Sequence, residues 1–291
     1  MLPVGEVAPV SGVAPVGGVA PVSGVLPVSG VLPVSGVLPV SGVGLVVREP
    51  DGADELYLIE TRLAPLPAML GLARRVAGAA GGGPVDWESL PAADLDGAAL
   101  VIRRAWLGDA IVTEASCPGP DCGERIDVSF GIGEYLAHRR PRRPRGVADA
   151  PGPGWFTLAG SPLRFRIPAV ADLLAVAAGE RPGDALGARC VEGGVVSRGL
   201  AGRLDRAMSA LAPSLKNLIG GACPGCGHEV SLYFDPLGYT LAELRGAFSG
   251  IHLEAHALAT AYGWPEQAIL TLPRGRRRRY AELIADERWS A

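Results

Sequence analysis

The sequence predicts an α+β fold: a split four-cysteine zinc ribbon built from two β-hairpins, with helical N-terminal and C-terminal segments and a disordered repeat tail. Three observations predict it. Two cysteine turns, CPGPDCG at 117 to 123 and CPGCG at 223 to 227, each lie between runs that alternate apolar and polar residues. Segments on either side carry apolar residues at spacings of three and four. The first 44 residues repeat a six-residue unit punctuated by proline and glycine.

The repeat runs from residue 3 to 44 as PVGEVA, PVSGVA, PVGGVA, three copies of PVSGVL, and PVSGVG. A left-handed β-helix also turns every six residues, but here Pro and Gly recur in every unit and no large residue stacks inward. The repeat therefore reads as a flexible, elastin-like tail over 1–44, unable to build a core alone. Residues 45–110 form a helical N-terminal segment. Leu56, Ile59 and Leu63 mark a first helix ended by Pro65 and Pro67. Met69, Leu70, Leu72, Ala73 and Val76 continue an apolar face. After the Gly-rich loop at 77 to 84, Leu95, Ala99, Ile102 and Trp106 place a stripe on a helix from Ala92 to Trp106.

Residues 111–236 hold the split ribbon. In the first hairpin Ile126, Val128 and Phe130 alternate; in the second Val230, Leu232 and Phe234 do. Between them, 137–216 is an insertion. It opens on a Pro/Arg-rich linker at 138 to 154, continues as a β-hairpin at 155 to 168 with a GlySerPro turn, and adds helices at 169–178 and 200–212. Cys190, alone, reads as a buried apolar residue. Residues 237–291 form the C-terminal helical segment. Leu241, Leu244, Phe248, Ile251, Ala255, Leu258 and Tyr262 make one continuous seam. Gly263 ends that helix, Pro265 starts the next, and a last helix carries Tyr280, Leu283 and Ile284 behind Arg274 and Arg276 to Arg279.

Cys117, Cys122, Cys223 and Cys226 are the expected metal ligands. Structural zinc takes four soft donors in a tetrahedron, and a short turn brings two thiolates to one side of the ion. Gly123 and Gly227 relieve backbone crowding where amides point at the sulfurs. Four thiolates leave no open position, so the Zn2+ is structural. A redox role for Cys223 and Cys226 lacks the surrounding βαβ pattern. His228 reads as solvent-facing or hydrogen-bonding rather than as a ligand, since the cysteines fill the shell. His252 and His256 flank Glu254, but in the zinc-protease motif the glutamate directly follows the first histidine.

No Walker A loop and no GxSxG elbow is present, and no histidine pairs with a nucleophile. The chain therefore reads as no enzyme, with no small-molecule substrate. Lys216 is the only lysine, and the formal net charge is −3. That balance speaks against general polyanion binding, and a solvated Pro/Arg linker explains the run at 139 to 145. No signal peptide and no apolar stretch long enough to span a membrane appears, which places the protein in the cytoplasm.

Four strings, in order, resemble a known family: LGDAIVTEASCPGPDCGERIDVSF at 107 to 130, FRIP at 165 to 168, CPGCGHEVSLYFD at 223 to 235, and HALATAYGWPEQAILTLPRGRRRRYAELI at 256 to 284. They look like the T-even-type phage baseplate protein family, called baseplate hub assembly chaperones, found in phages and contractile injection systems. The resemblance covers about residues 98 to 288; the repeat, the expanded first cysteine turn and the region before residue 98 depart from it. It implies a non-enzymatic assembly factor or minor component of a contractile tail baseplate, with baseplate or tail proteins as partners. Trp264, Arg276, Arg277, Arg278 and Arg279 are the expected partner-binding groups, because Trp and Arg most often carry interface energy. The alternative is a zinc-ribbon nucleic-acid binder using the arginines at 139 to 145 and 274 to 279.

Overall fold

In the computed structural model, which describes residues 8–9, 34–194 and 196–290, small antiparallel hairpins alternate with helices. β1 (Ala8–Pro9) pairs in parallel with β11 (Asn217–Ala222), whose other neighbour is β12 (Glu229–Phe234). The tail expected over the rest of the repeat before Val34 lies outside the described residues.

The end of the repeat is not tail, which corrects the expected boundary at residue 44. β2 (Val34–Val37) and β3 (Gly44–Val47) form an antiparallel hairpin, and β4 (Ala77–Ala79) pairs with β3. The repeat cannot build a core alone, but α3 (Ala92–Leu107) supplies the missing side. Leu38 is 1% exposed. The Asp94 carboxylate accepts the amides of Val40 and Ser41, both at 2.8 Å. Glycine is required at two contacts: a Cβ on Gly36 would lie 2.6 Å from Val101, and one on Gly97 2.5 Å from Pro39.

Asp51 caps α1 (Gly52–Glu60) by accepting the amides of Ala53 and Asp54, and the Asp54 side chain returns a bond to the Asp51 amide. Pro65 takes the first position of α2 (Pro65–Val76), where its missing N–H costs nothing. α1, α2 and α3 enclose the main core, where Leu45, Leu58, Met69, Leu72, Leu95 and Ile102 meet Leu241, Leu244 and Phe248 from the far end of the chain. Each such side chain contributes about 1.5 to 3 kcal/mol by leaving water.

After α3 come β5 (Ala110–Ser116), β6 (Arg125–Gly131) and α4 (Ile132–His138). The expected linker at 138 to 154 is partly structured: β7 (Val147–Asp149) joins β8 (Trp155–Leu158), β9 (Arg164–Arg166) and β10 (Val191–Glu192) in one antiparallel sheet. α5 (Val170–Val176) and α6 (Pro182–Cys190) bridge β9 to β10, and α7 (Arg198–Leu211) packs Leu204 and Ala207 on Val147, Leu158 and Phe165. Cys190 is buried, as expected of an apolar residue.

The expected continuous helix from Leu241 to Tyr262 is two helices, α8 (Pro236–Phe248) and α9 (Ile251–Tyr262), broken at Ser249 and Gly250. Glycine has low helix propensity, and the break lets one apolar seam serve two cores. Leu241, Leu244 and Phe248 enter the main core. Leu258 packs with Ile269 of α10 (Glu266–Leu270) and Ile284 of α11 (Arg274–Ser290). Gly263 closes α9 in the left-handed region, at φ 68°. On α11, Leu283 is 37% exposed rather than sharing the buried face of Ile284.

Candidate metal centre

Each cysteine turn is closed by its own backbone. The Cys117 amide donates to the Glu124 carbonyl at 2.8 Å, and the Cys223 amide to the His228 carbonyl at 2.8 Å. The last residue of each turn is glycine with positive φ, 61° at Gly123 and 74° at Gly227, which a side chain would strain. Amides then point at sulfur: Gly119 N–H donates to Cys117 Sγ at 3.4 Å, and the amides of Glu124 and His228 donate to Cys122 and Cys226.

The two hairpins meet through a shared core. Phe130 and Phe234 stand edge to face at 5.2 Å, and Tyr135 packs on both. Two phenols pin the arrangement: Tyr135 donates to the Leu215 carbonyl at 2.6 Å, and Tyr239 to the Val112 carbonyl at 3.1 Å. Each aromatic pair adds about 0.5 to 1.5 kcal/mol beyond its buried area. Leu100, Ile111, Ile132 and Ile219 complete this cluster.

That packing brings the four expected ligands together. The sulfurs of Cys117, Cys122, Cys223 and Cys226 all lie within 4.8 Å of one another. Cys117 and Cys226 are 3.4 Å apart, and Cys122 and Cys223 3.8 Å. A tetrahedral ion with metal–sulfur bonds near ~2.3 Å needs sulfurs about 3.8 Å apart, so the set is compatible with a bound metal. Cys117 and Cys223 are buried, Cys122 half-buried and Cys226 exposed.

The thiols also resist ionising together. The His228 amide, then the hydrogen bond with Cys117, lowers the pKa of Cys226 to about 7. For Cys117 the Gly119 amide pulls down, but burial and the other three thiols outweigh it and push it up to about 12. Cys122 also moves up, because its contact with Cys226 and burial outweigh the pull of the Glu124 amide. One negative charge is easily held and four are not, unless a cation collects them.

The remaining expected groups are placed as follows. The His228 side chain is exposed and outside the sulfur cluster. His252 and His256 are exposed, while Glu254 turns to Arg277. Trp264 is half-buried, stacked on Tyr262 at 5.0 Å with Tyr280 edge-on at 5.5 Å. Arg276, Arg278 and Arg279 are exposed. Arg277 is fully buried, which corrects its assignment to an outer surface: it pairs with Glu55 of α1 and Glu254 of α9. A buried guanidinium needs carboxylates, and these come from distant segments that no local sequence signal connects. Sequence reasoning also missed Glu124, whose carboxylate lies 3.8 Å from Cys223 Sγ; its place directly after the expanded first turn was the available signal. Among the described residues no helix is long and apolar enough to cross a membrane. The chain matches no protein-family model, no curated protein and no solved structure.

Proposed function

We propose that this protein is a non-enzymatic assembly factor or minor component of a contractile phage-tail-like baseplate, stabilised by one structural Zn2+ on Cys117, Cys122, Cys223 and Cys226. The observation that carries the reading is that the two quoted cysteine strings, about a hundred residues apart, converge on one four-sulfur cluster. All-thiolate shells of this kind favour zinc and leave no coordination position for substrate. The resemblance of residues 98 to 288 to baseplate hub assembly chaperones supplies the biological setting, and cytoplasmic assembly fits it.

Nucleic-acid contact through the ribbon itself is disfavoured by charge. Residues 111 to 136 and 217 to 236, which make up the ribbon, carry seven acidic side chains and one basic, Arg125. A zinc ion with four thiolates adds two further negative charges, so this ribbon repels phosphate.

The exposed groups around Trp264, with Arg276, Arg278 and Arg279, are the partner surface in this reading. The test is co-purification with the sheath, tube and baseplate proteins encoded beside the gene, repeated after Trp264→Ala and after Arg276→Glu with Arg279→Glu. Loss of a tail partner from folded, zinc-loaded variants is the expected result. Absence of tail genes and tail partners would reject the reading.

A further inference from the structure

The formal charge of −3 hides a division. The insertion, residues 137 to 216, carries thirteen basic and six acidic side chains, a net of +7. The remainder carries fourteen and twenty-four, a net of −10. The insertion also has its own sheet and its own apolar cluster, and α5 anchors it to the main core through Val170.

Backbone and side-chain bonds bring the 139–145 arginine run against α7. The Arg142 amide donates to the Ala210 carbonyl at 2.7 Å, tying the 139–145 run to the end of α7. The Ala159 amide donates to the Gly146 carbonyl at 2.7 Å, and Arg203 of α7 donates to the Ala159 carbonyl at 2.5 Å. Arg140, Arg142, Arg145, Arg203 and Arg206 are exposed, and none has a carboxylate partner among the described residues. Asp205 is the acidic residue between the last two. Arg143 is committed to Asp149, and Arg166 and Arg189 to Asp172.

We propose that the edge where this run meets α7, formed by Arg140, Arg142, Arg145, Arg203 and Arg206, docks an acidic segment of a partner protein. Guanidinium forks match carboxylates in pairs, and the insertion already holds Asp172 that way, through two bonds from Arg166 and one from Arg189. A protein segment suits the edge better than a nucleic acid. The run starts where α4 ends, with Arg139 over the Tyr135 ring at 5.9 Å, beside the acidic ribbon. A long polyanion would run onto that ribbon and be repelled; a short acidic segment would not. The choice of a protein partner rests on the assembly reading.

The probe is a fluorescein-labelled peptide of about twelve residues rich in Glu and Asp, read by anisotropy against the full-length zinc-loaded chain at about 50 mM and about 300 mM salt. Binding should weaken at least about tenfold at the higher salt and about tenfold in R140E/R142E/R145E. It should be unchanged in R62E, an exposed arginine outside both surfaces, and zinc content and melting should stay at wild-type values in both. No binding at low salt, or no effect of reversing the insertion's arginines, overturns the proposal. So does a thymidine oligonucleotide of equal charge that binds more tightly through the same arginines. Peptide binding tests this edge alone, whereas co-purification tests the assembly reading, so either can fail without the other.

Discussion

Glu55 in α1 and Arg277 in α11 form a buried ion pair across 222 residues of sequence. Arg277 is 0% and Glu55 1% exposed. Arg277 Nε also reaches Glu254 at 2.7 Å, and Arg274 lies over the Phe248 ring at 4.7 Å. The C-terminal helices are thus fastened to the N-terminal ones by charge as well as by apolar contact. Burial raises the Glu55 pKa despite the pull of Arg277, so the pair holds only while both members are present.

Arg277→Met alone should cost about 3 to 5 kcal/mol, because it strands a buried carboxylate. Adding Glu55→Leu should recover most of that loss. Urea denaturation of the two variants measures both; a double variant as unstable as the single would show that the pair itself, not the stranded charge, sets the stability.

One metal per chain is expected, read by elemental analysis. Cys226→Ser should lower zinc affinity and Cys117→Ser should abolish it, with a stability loss on the order of several kcal/mol, since the metal closes a loop of about a hundred residues. Cys190→Ser should keep full metal content. A Cys117/Cys226 double variant that retained stoichiometric zinc would refute the ligand assignment.

Truncation should separate the repeat into two parts. A chain beginning at Val34 loses, among the described residues, only the two-residue pairing of β1 with β11 and is expected to melt close to the full protein, whereas one beginning at Leu45 also loses Leu38 and the bonds to Asp94 and should melt far lower. Leu38→Ala should cost about 2 to 5 kcal/mol. Equal melting of the two truncations would contradict the hairpin's place in the core.

Asp96 on α3 gives a pH dependence. Burial pushes its carboxyl up from 3.8 to about 7, against the pull of Lys216, with Asp235 reinforcing the rise. A folded pKa above the unfolded one means the fold favours the protonated acid. This contribution is complete below about pH 4 and is lost as pH climbs through about 7, by up to about 4 kcal/mol. Asp96→Asn should therefore flatten the decline in melting temperature between pH 5 and 8. An unchanged slope would show that other groups set it.

The sequence by itself determined the local pieces. Cys117, Cys122, Cys223 and Cys226 were legible as two matched cysteine turns because a short turn, with glycine after its second cysteine, carries its geometry in consecutive residues. The helix from Ala92, both cysteine-bearing hairpins and the end of α9 at Gly263 were legible for the same reason: period, cap and positive φ are short-range properties. Tertiary structure alone decided what depends on a remote neighbour. The end of the repeat is ordered because Asp94 and Val101 lie opposite it. The seam after Leu241 breaks because two separate cores claim its halves. Arg277 is interior because Glu55 and Glu254 neutralise it there, and a charge run in sequence gives no sign of which guanidinium will meet a carboxylate on another helix.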